Sequence, residues 1–337
     1  MTDWSQTIRS GNRRALARLL TLLENNHEGI DATLADLYLH TGTAHRIGVT
    51  GAPGTGKSTL VTALAAAYRA QGQTVAILAI DPTSPFSGGA VLGDRIRMQT
   101  LSGDRGVFIR SMATRGSLGG LARTTQDAAH ILDAAGFDRI VIETVGAGQS
   151  EIDVVRAAHT TLVVDAPGLG DGVQAIKAGI LEIADLLIVN KADLPGAANT
   201  VRALQSMLDI GHPTKPTLSG HHGVPVPTDA PPPDTTVWQP PIIETVATEQ
   251  RGLPTLLTSI DAHYQYLHDY NILAKQARQF AEADLMTRVA DALLAEFRHQ
   301  VPQAELDKLL DHIVSRQVSP RQAVQDALAA RNQNLAT

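Results

Sequence analysis

The residues Gly51-Ala52-Pro53-Gly54-Thr55-Gly56-Lys57-Ser58-Thr59 fit the pattern G-x-x-x-x-G-K-[ST]. In that pattern consecutive backbone N–H groups and the positive end of a helix converge on an anion. Lys57 is expected to reach the β- and γ-phosphates of a nucleoside triphosphate, and Ser58 to ligate a magnesium ion. A second group, Asn190-Lys191-Ala192-Asp193, has the residue types that read guanine. The Asp193 carboxylate can accept from the ring N1–H and the exocyclic amine, two donors that adenine does not present in that geometry. Asn190 and Lys191 would shape the pocket and cover the ring. GTP is therefore expected in preference to ATP.

A third group lies between them. Ile140-Val141-Ile142-Glu143-Thr144-Val145-Gly146 reads as a buried strand ending in an acid, three residues before a glycine. An acid in that place orients magnesium or its waters, and the Gly146 N–H can approach the γ-phosphate. GTPases mostly use Asp here; Glu143 is one methylene longer, which suits a contact through water. Gly146, Gly148 and Gln149 form a segment able to change shape on hydrolysis, and Gln149 is a candidate for holding the attacking water. Asp81, before Pro82-Thr83-Ser84, and Asp94, in Gly88-Gly89-Ala90-Val91-Leu92-Gly93-Asp94-Arg95, are further candidates for the metal shell or for activating water. Lys57, Asp94 and Glu143 make up the expected catalytic set, and Ser58, Asp81, Asp94 and Glu143 the expected magnesium set. Arg95, Arg97, Arg110 and Arg115 lie in the same region, and none is assigned a catalytic role.

These groups need elements to hold them. Apolar runs predict strands at Ile47–Thr50, Val75–Asp81, Val107–Ser111, Arg139–Glu143, Thr161–Asp165, Leu186–Asn190 and Ile242–Thr245. The continuous Val/Ile/Leu runs are those of parallel strands covered on both faces. Helical segments between them make βαβ units, so the expected fold is α/β: a P-loop NTPase with a mostly parallel, doubly wound sheet. Ligands of such sheets bind at the carboxyl ends of the strands, where Asp81 and Glu143 fall. Ile8, Leu16, Leu19, Leu20 and Leu23 recur at helical spacing and predict one opening amphipathic helix, followed by a short one over Ala32–Leu39. Leu60–Tyr68 predicts the helix after the glycine-rich loop. From His212 to Pro241 stand nine of the seventeen prolines, with His221-His222 among them, which predicts an extended surface loop rather than a metal tract. After Pro254 the chain reads as helical, with Leu285, Val289, Leu293 and Phe297 at i, i+4 spacing and new helices starting at Pro302 and Pro320. That stripe needs a surface to cover it, either the sheet or a second copy. The expected organisation is a helical extension over 1–45, a nucleotide domain over 46–262 with the Pro-rich insertion at about 212–241, and a helical arm over 263–337.

Composition narrows the classes. The 337 residues are 43% hydrophobic and 18% charged, with a net charge of −6 and a pI near 6.0. This gives no support for nucleic acid as a partner. There are no cysteines, which excludes disulfides, thiolate metal sites and cysteine nucleophiles and agrees with a reducing cytoplasm. The first ten residues lack a signal-peptide pattern, and no apolar run reaches the length of a membrane span.

Taken together, Gly48-Val49-Thr50 with the glycine-rich loop, Ala79-Ile80-Asp81-Pro82-Thr83-Ser84, Leu92-Gly93-Asp94-Arg95, Glu143-Thr144-Val145-Gly146-Ala147-Gly148-Gln149-Ser150-Glu151 and Gly170-Asp171 through Lys177-Ala178-Gly179 resemble the MeaB-type GTPases. These are chaperones of adenosylcobalamin-dependent methylmalonyl-CoA mutase, also known as transport-system kinases. The resemblance runs from Arg13–Leu20 to the helix after Ser319-Pro320, and its most specific part is the segment from Glu143 to Glu151. It implies a homodimer that binds GTP or GDP with Mg2+, formed either through the helical arm, its expected dimerisation element, or through the switch face. Such a protein couples GTP hydrolysis to cofactor loading and protection of an acyl-CoA mutase. It also implies that Gln149–Asp153 and Gly170–Lys177 are switch regions sensing the partner. By the same resemblance Thr245–Thr248 forms a second guanine-contacting loop, through Val246, Ala247 and Thr248 where the family more usually has a Ser-Ala pair. The Pro-rich stretch after Gly211 departs from the family as well. Two other readings remain at this stage: a GTPase that inserts metal into another metalloenzyme, and a kinase that passes phosphate to an acceptor other than water.

Overall fold

The computed structural model of the protein describes residues 4–81, 101, 103–113, 120–144, 157–168, 183–210 and 237–334. The chain divides into two compact units, Met1–Leu273 and Ala274–Thr337.

In the first unit, seven strands form one sheet in the order β3-β2-β4-β1-β5-β6-β7. They are β1 (His45–Thr50), β2 (Val75–Asp81), β3 (Val107–Ala113), β4 (Arg139–Thr144), β5 (Thr160–Asp165), β6 (Leu186–Asn190) and β7 (Ile242–Thr245). Every adjacent pair is parallel. The apolar runs are continuous because both faces are buried, and successive residues serve opposite faces. Ile47, Val49, Ile77, Val141, Leu162, Val164 and Ile188 pack on one face with α4 (Lys57–Ala70) and α7 (Leu253–Asp269). On the other face Leu78, Ile80, Ile140 and Ile142 meet α1 (Trp4–Arg9), α2 (Arg13–Glu24), α3 (Asp31–Tyr38) and α5 (Gly120–Ala134). Toward the β7 side of that face, Val163, Leu187 and Val189 pack against Ala197 and Leu204 of α6 (Ala197–Ile210).

The predicted opening helix is two helices. Gly11, at φ 87°, turns the chain between α1 and α2, and Asn12 caps α2 by accepting from the amides of Arg14 and Ala15 at 3.1 Å each. Both helices still present the apolar stripe to one core, so the spacing that joined them in the sequence records the shared face and not a continuous backbone. The predicted Pro-rich loop and the His221-His222 pair lie outside the described residues, apart from the segment that begins at Val237. There the Trp238 indole N–H donates to the Asp185 carbonyl at 2.8 Å.

The second unit is built from α8 (Ile272–Gln300), α9 (Gln303–Val314) and α10 (Pro320–Asn334). Pro302, with extended ψ of 140°, caps α9 from just outside it, and Pro320 is the first residue of α10. Val301, Ala323 and Ala327 are buried, while α8 buries none of its residues: Leu285, Val289 and Leu293 stand exposed along one stripe.

Candidate nucleotide site

The site is built at the carboxyl end of β1, a central strand flanked by β4 and β5, where the winding of the chain changes direction. Residues 51–56 leave β1 and enter α4, whose first helical residue is Lys57. Two glycines here are dictated by space. A Cβ on Gly51, at φ 140°, would stand 2.0 Å from the Val164 carbonyl oxygen of β5. One on Gly56, at φ 88°, would stand 2.5 Å from Asn190 Nδ2. Only glycine lets the loop lie this close to both neighbours.

Within the loop, Thr55 is buried and its hydroxyl donates to the Ala52 carbonyl at 3.0 Å, while Pro53 and Gly54 face solvent, as does Thr59 in the first turn of α4. Lys57 Nζ lies over the loop and donates to the carbonyls of Gly51 at 2.7 Å and Ala52 at 3.0 Å. Ser58 Oγ donates to Glu143 Oε1 at 2.6 Å, with Glu143 itself buried at the end of β4. A hydroxyl and a carboxylate are thereby brought together beside the N-terminus of a fourteen-residue helix, whose dipole favours anions.

From the other side, the Asn190 side chain joins three loops. Its Nδ2 donates to the Thr55 carbonyl at 2.9 Å, and its Oδ1 accepts from Thr245 Oγ1 at 3.1 Å and the Ala247 amide at 3.3 Å. Lys191, at φ 55°, donates from Nζ to the Gly54 carbonyl at 2.8 Å. The Ala192 amide donates to the Thr245 carbonyl at 3.0 Å, and Asp193 stands exposed on the turn that follows. Val246 and Ala247 are buried and Thr248 is exposed, within a tight turn closed by the Val246 amide on the Arg251 carbonyl at 3.0 Å.

Sequence spacing alone did not point to several participants. Thr245 holds Asn190; Val164 sets the glycine requirement at 51; and Thr50 and Thr144 bond to each other at 3.2 Å beside the loop. Their only signal is a hydroxyl residue, or none, at the end of an apolar run. Asp165, the last residue of β5, is a further buried acid near this end of the sheet, and burial raises its pKa from the usual carboxylate range. Arg110 is turned elsewhere, since its guanidinium pairs with Glu24 of α2. Asp81 ends β2 as predicted, in register with Ala113, though its side chain is outside the described residues. Asp94, Gly146, Gln149, Arg95, Arg97, Arg115 and the expected switch segments Gln149–Asp153 and Gly170–Lys177 also lie outside them.

The donor set fits a triphosphate with a hard divalent cation. Backbone amides and an ammonium suit phosphate oxygens, while a hydroxyl and a carboxylate, both oxygen donors, suit magnesium. Among the described residues no group of three or more His, Cys, Asp or Glu is arranged to hold a metal by itself. No helix among them is long and apolar enough to cross a membrane.

Residues 16–301 match the family model described as methylmalonyl-CoA mutase-associated GTPase MeaB. A protein of Pyrococcus abyssi assigned as a GTPase is 43% identical over 318 residues, 94% of this chain and 93% of its own. The methylmalonic aciduria type A homolog of Caenorhabditis elegans, a mitochondrial protein, is 30% identical over 94% of this chain and 79% of its own. The crystal structure of a LAO/AO transport system kinase superposes with a TM-score of 0.69 at 25% identity, covering 97% of this chain and 95% of that one. The chain belongs to the methylmalonyl-CoA mutase-associated GTPase family, MeaB.

Proposed function

We propose that the protein binds and hydrolyses GTP with Mg2+, and that it uses the cycle to gate cofactor loading and protection of an adenosylcobalamin-dependent acyl-CoA mutase. The observation that carries the hydrolytic part is the 2.6 Å bond between Ser58 and Glu143 at the mouth of the glycine-rich loop. It brings a metal-ligating hydroxyl and a water-orienting carboxylate onto one spot. Magnesium, when bound, neutralises developing charge on the β- and γ-phosphates. Ser58 would hold it directly and Glu143 through water, with Asp81 and Asp94 completing the shell. Lys57 would exchange its bonds to the Gly51 and Ala52 carbonyls for phosphate oxygens. Asn190 sets the turn from which Asp193 would read the base.

The client is supported by family membership and by the likeness to the C. elegans protein named for methylmalonic aciduria. We place the protein in the cytoplasm, as a homodimer whose second copy covers the exposed stripe of α8. Purified protein should bind GTP in preference to ATP and release phosphate slowly with Mg2+, faster when a cobalamin-dependent acyl-CoA mutase is added. Lys57→Ala should abolish triphosphate binding, and Asp193→Asn should abolish the preference for guanine, both read by titration calorimetry. Tight GTP binding by the Lys57 variant, or unchanged guanine preference in the Asp193 variant, contradicts the site assignment. The transport-system kinase in the comparison keeps one other reading in view. Transfer of the γ-phosphate to an acceptor other than water, followed with radiolabelled GTP, would replace the chaperone reading with that one.

A further inference from the structure

The backbone ladder between β1 and β4 reaches its last register pair at Val49 and Glu143. One residue later the strands are joined by side chains: Thr144 Oγ1 donates to Thr50 Oγ1 at 3.2 Å, and both threonines are wholly buried. Successive side chains of a strand point to opposite faces. Glu143 faces α4, where it accepts from Ser58, so Thr144 faces away, on the side of Ile140 and Ile142. Thr50 immediately precedes Gly51, and Thr144 immediately follows Glu143. The hydroxyl pair therefore fastens the two strand ends at the point where one chain becomes the phosphate loop and the other has just presented its acid. No backbone register pair of this ladder lies beyond it to do the same.

We propose that Thr50 and Thr144 are positioning residues for GTP hydrolysis. Their bond sets the register of the Glu143 carboxylate on the Ser58 hydroxyl, and so the geometry of the magnesium-assisted step, without either residue touching the nucleotide. This rests on the hydrolytic reading above. Guanine recognition, built from Asn190 to Asp193 on the other side of the loop, is independent of the pair. Loss of the bond thus acts on magnesium dependence and kcat and leaves nucleotide affinity at saturating Mg2+ in place.

The test uses full-length protein and four variants: Thr50→Val, Thr144→Val, the double Val variant and Thr144→Ser. Three quantities are read: the Mg2+ concentration that half-suppresses dissociation of fluorescent GDP, kcat and KM for GTP, and the thermal midpoint. Each single Val variant should raise the Mg2+ requirement ~5-fold and lower kcat ~10-fold, with KM within about twofold, as expected for misplacement of a catalytic group. Thr144→Ser keeps the hydroxyl and should stay near wild type. In the double variant no hydroxyl is left without its partner, so the thermal midpoint should recover while the Mg2+ defect persists. Recovery of Mg2+ dependence and kcat together with stability would show that the pair only packs the core and would overturn the proposal. So would single variants with wild-type Mg2+ requirement. Should one single variant fail to fold, the other single and the shape-conserving double variant read the same contact. A wild-type protein that does not hydrolyse GTP refutes the hydrolytic reading, and the Mg2+ dependence of GDP release still decides whether the pair positions Glu143.

Discussion

Asn190 is where the loops of the cleft converge, and its two ends have separate tasks. One end ties down the Thr55 carbonyl of the phosphate loop, and the other holds Thr245 and the Ala247 amide. Asn190→Ala would strand all three partners in a buried setting, where each group left without a bond costs about 1–3 kcal/mol. The expected outcome is a lower thermal midpoint together with at least ~10-fold weaker GDP binding, because the loop that presents Asp193 loses its anchor. An unchanged affinity in calorimetry would show that the turn holds itself. Gly51 offers a sharper case. Gly51→Ala places a methyl 2.0 Å from the Val164 oxygen, so one backbone must shift. Overpacking of this kind costs about 1–3 kcal/mol, and here it also displaces the first residue of the phosphate loop. Nucleotide binding should be lost before the fold is, which circular dichroism and calorimetry on the same sample would separate.

At the scale of elements, the amino ends of the strands carry a network unrelated to the nucleotide. Arg139 of β4 can only donate, so His45 Nδ1 accepts from it at 3.1 Å, and the other ring nitrogen of His45 donates to Thr160 Oγ1 at 2.8 Å. Thr160 in turn donates to His263 Nδ1 of α7 at 2.9 Å, and His263 Nε2 faces Asp185 at 3.4 Å. His159 Nδ1 accepts from the Arg46 amide at 3.2 Å, and Tyr264 of α7 stacks on His45 at 3.9 Å. The chain of hydrogen bonds pins α7 to β1 and β5, and His45 and His159, which accept at Nδ1 from groups that can only donate, take part as neutral imidazoles. Burial, reinforced by Arg139 for His45 and by Arg46 for His159, lowers both pKa values, that of His159 to about 3. The unfolded chain binds protons at these histidines below about pH 6.5 and the folded chain does not. Stability is therefore level above about pH 7 and declines as pH falls, by up to about 1.4 kcal/mol per histidine per pH unit. Urea titrations from pH 5 to 8 should show this slope, and His159→Gln should flatten part of it. A flat profile in the wild type would mean the network rearranges to accept protons.

For the whole molecule, the open question is what covers α8. Leu285, Val289 and Leu293 form a continuous exposed stripe on a helix with no buried residue. Scattered apolar side chains on a surface are ordinary, but a contiguous stripe marks an interaction face. The proposed occupant is a second copy of the chain. Leu285→Glu with Val289→Glu should convert a dimer to a monomer in sedimentation velocity with little change in the thermal midpoint of the nucleotide unit. A wild-type protein that sediments as a monomer at all concentrations would rule out the second copy.

Much of this was legible in the sequence, for an identifiable reason. The strand runs at Val75–Asp81 and Leu186–Asn190 are unbroken apolar segments that end on a polar residue, and the structure gives strands with those limits. Burial on both faces requires such runs, so the parallel α/β sheet could be read from composition along the chain. Local chemistry likewise specified the glycine-rich loop, because an amide-lined anion cradle needs those residues at that spacing. The break at Gly11 was hidden by the apolar stripe shared across it. What only the tertiary structure decided were relations between distant residues: the strand order, the Val164 oxygen that forbids a side chain at 51, and Thr245 holding Asn190. The Thr50–Thr144 bond and the histidine chain at the opposite end belong to the same class. Each depends on which strands become neighbours, and a one-dimensional pattern of burial fixes how a strand is covered without fixing which strand lies beside it.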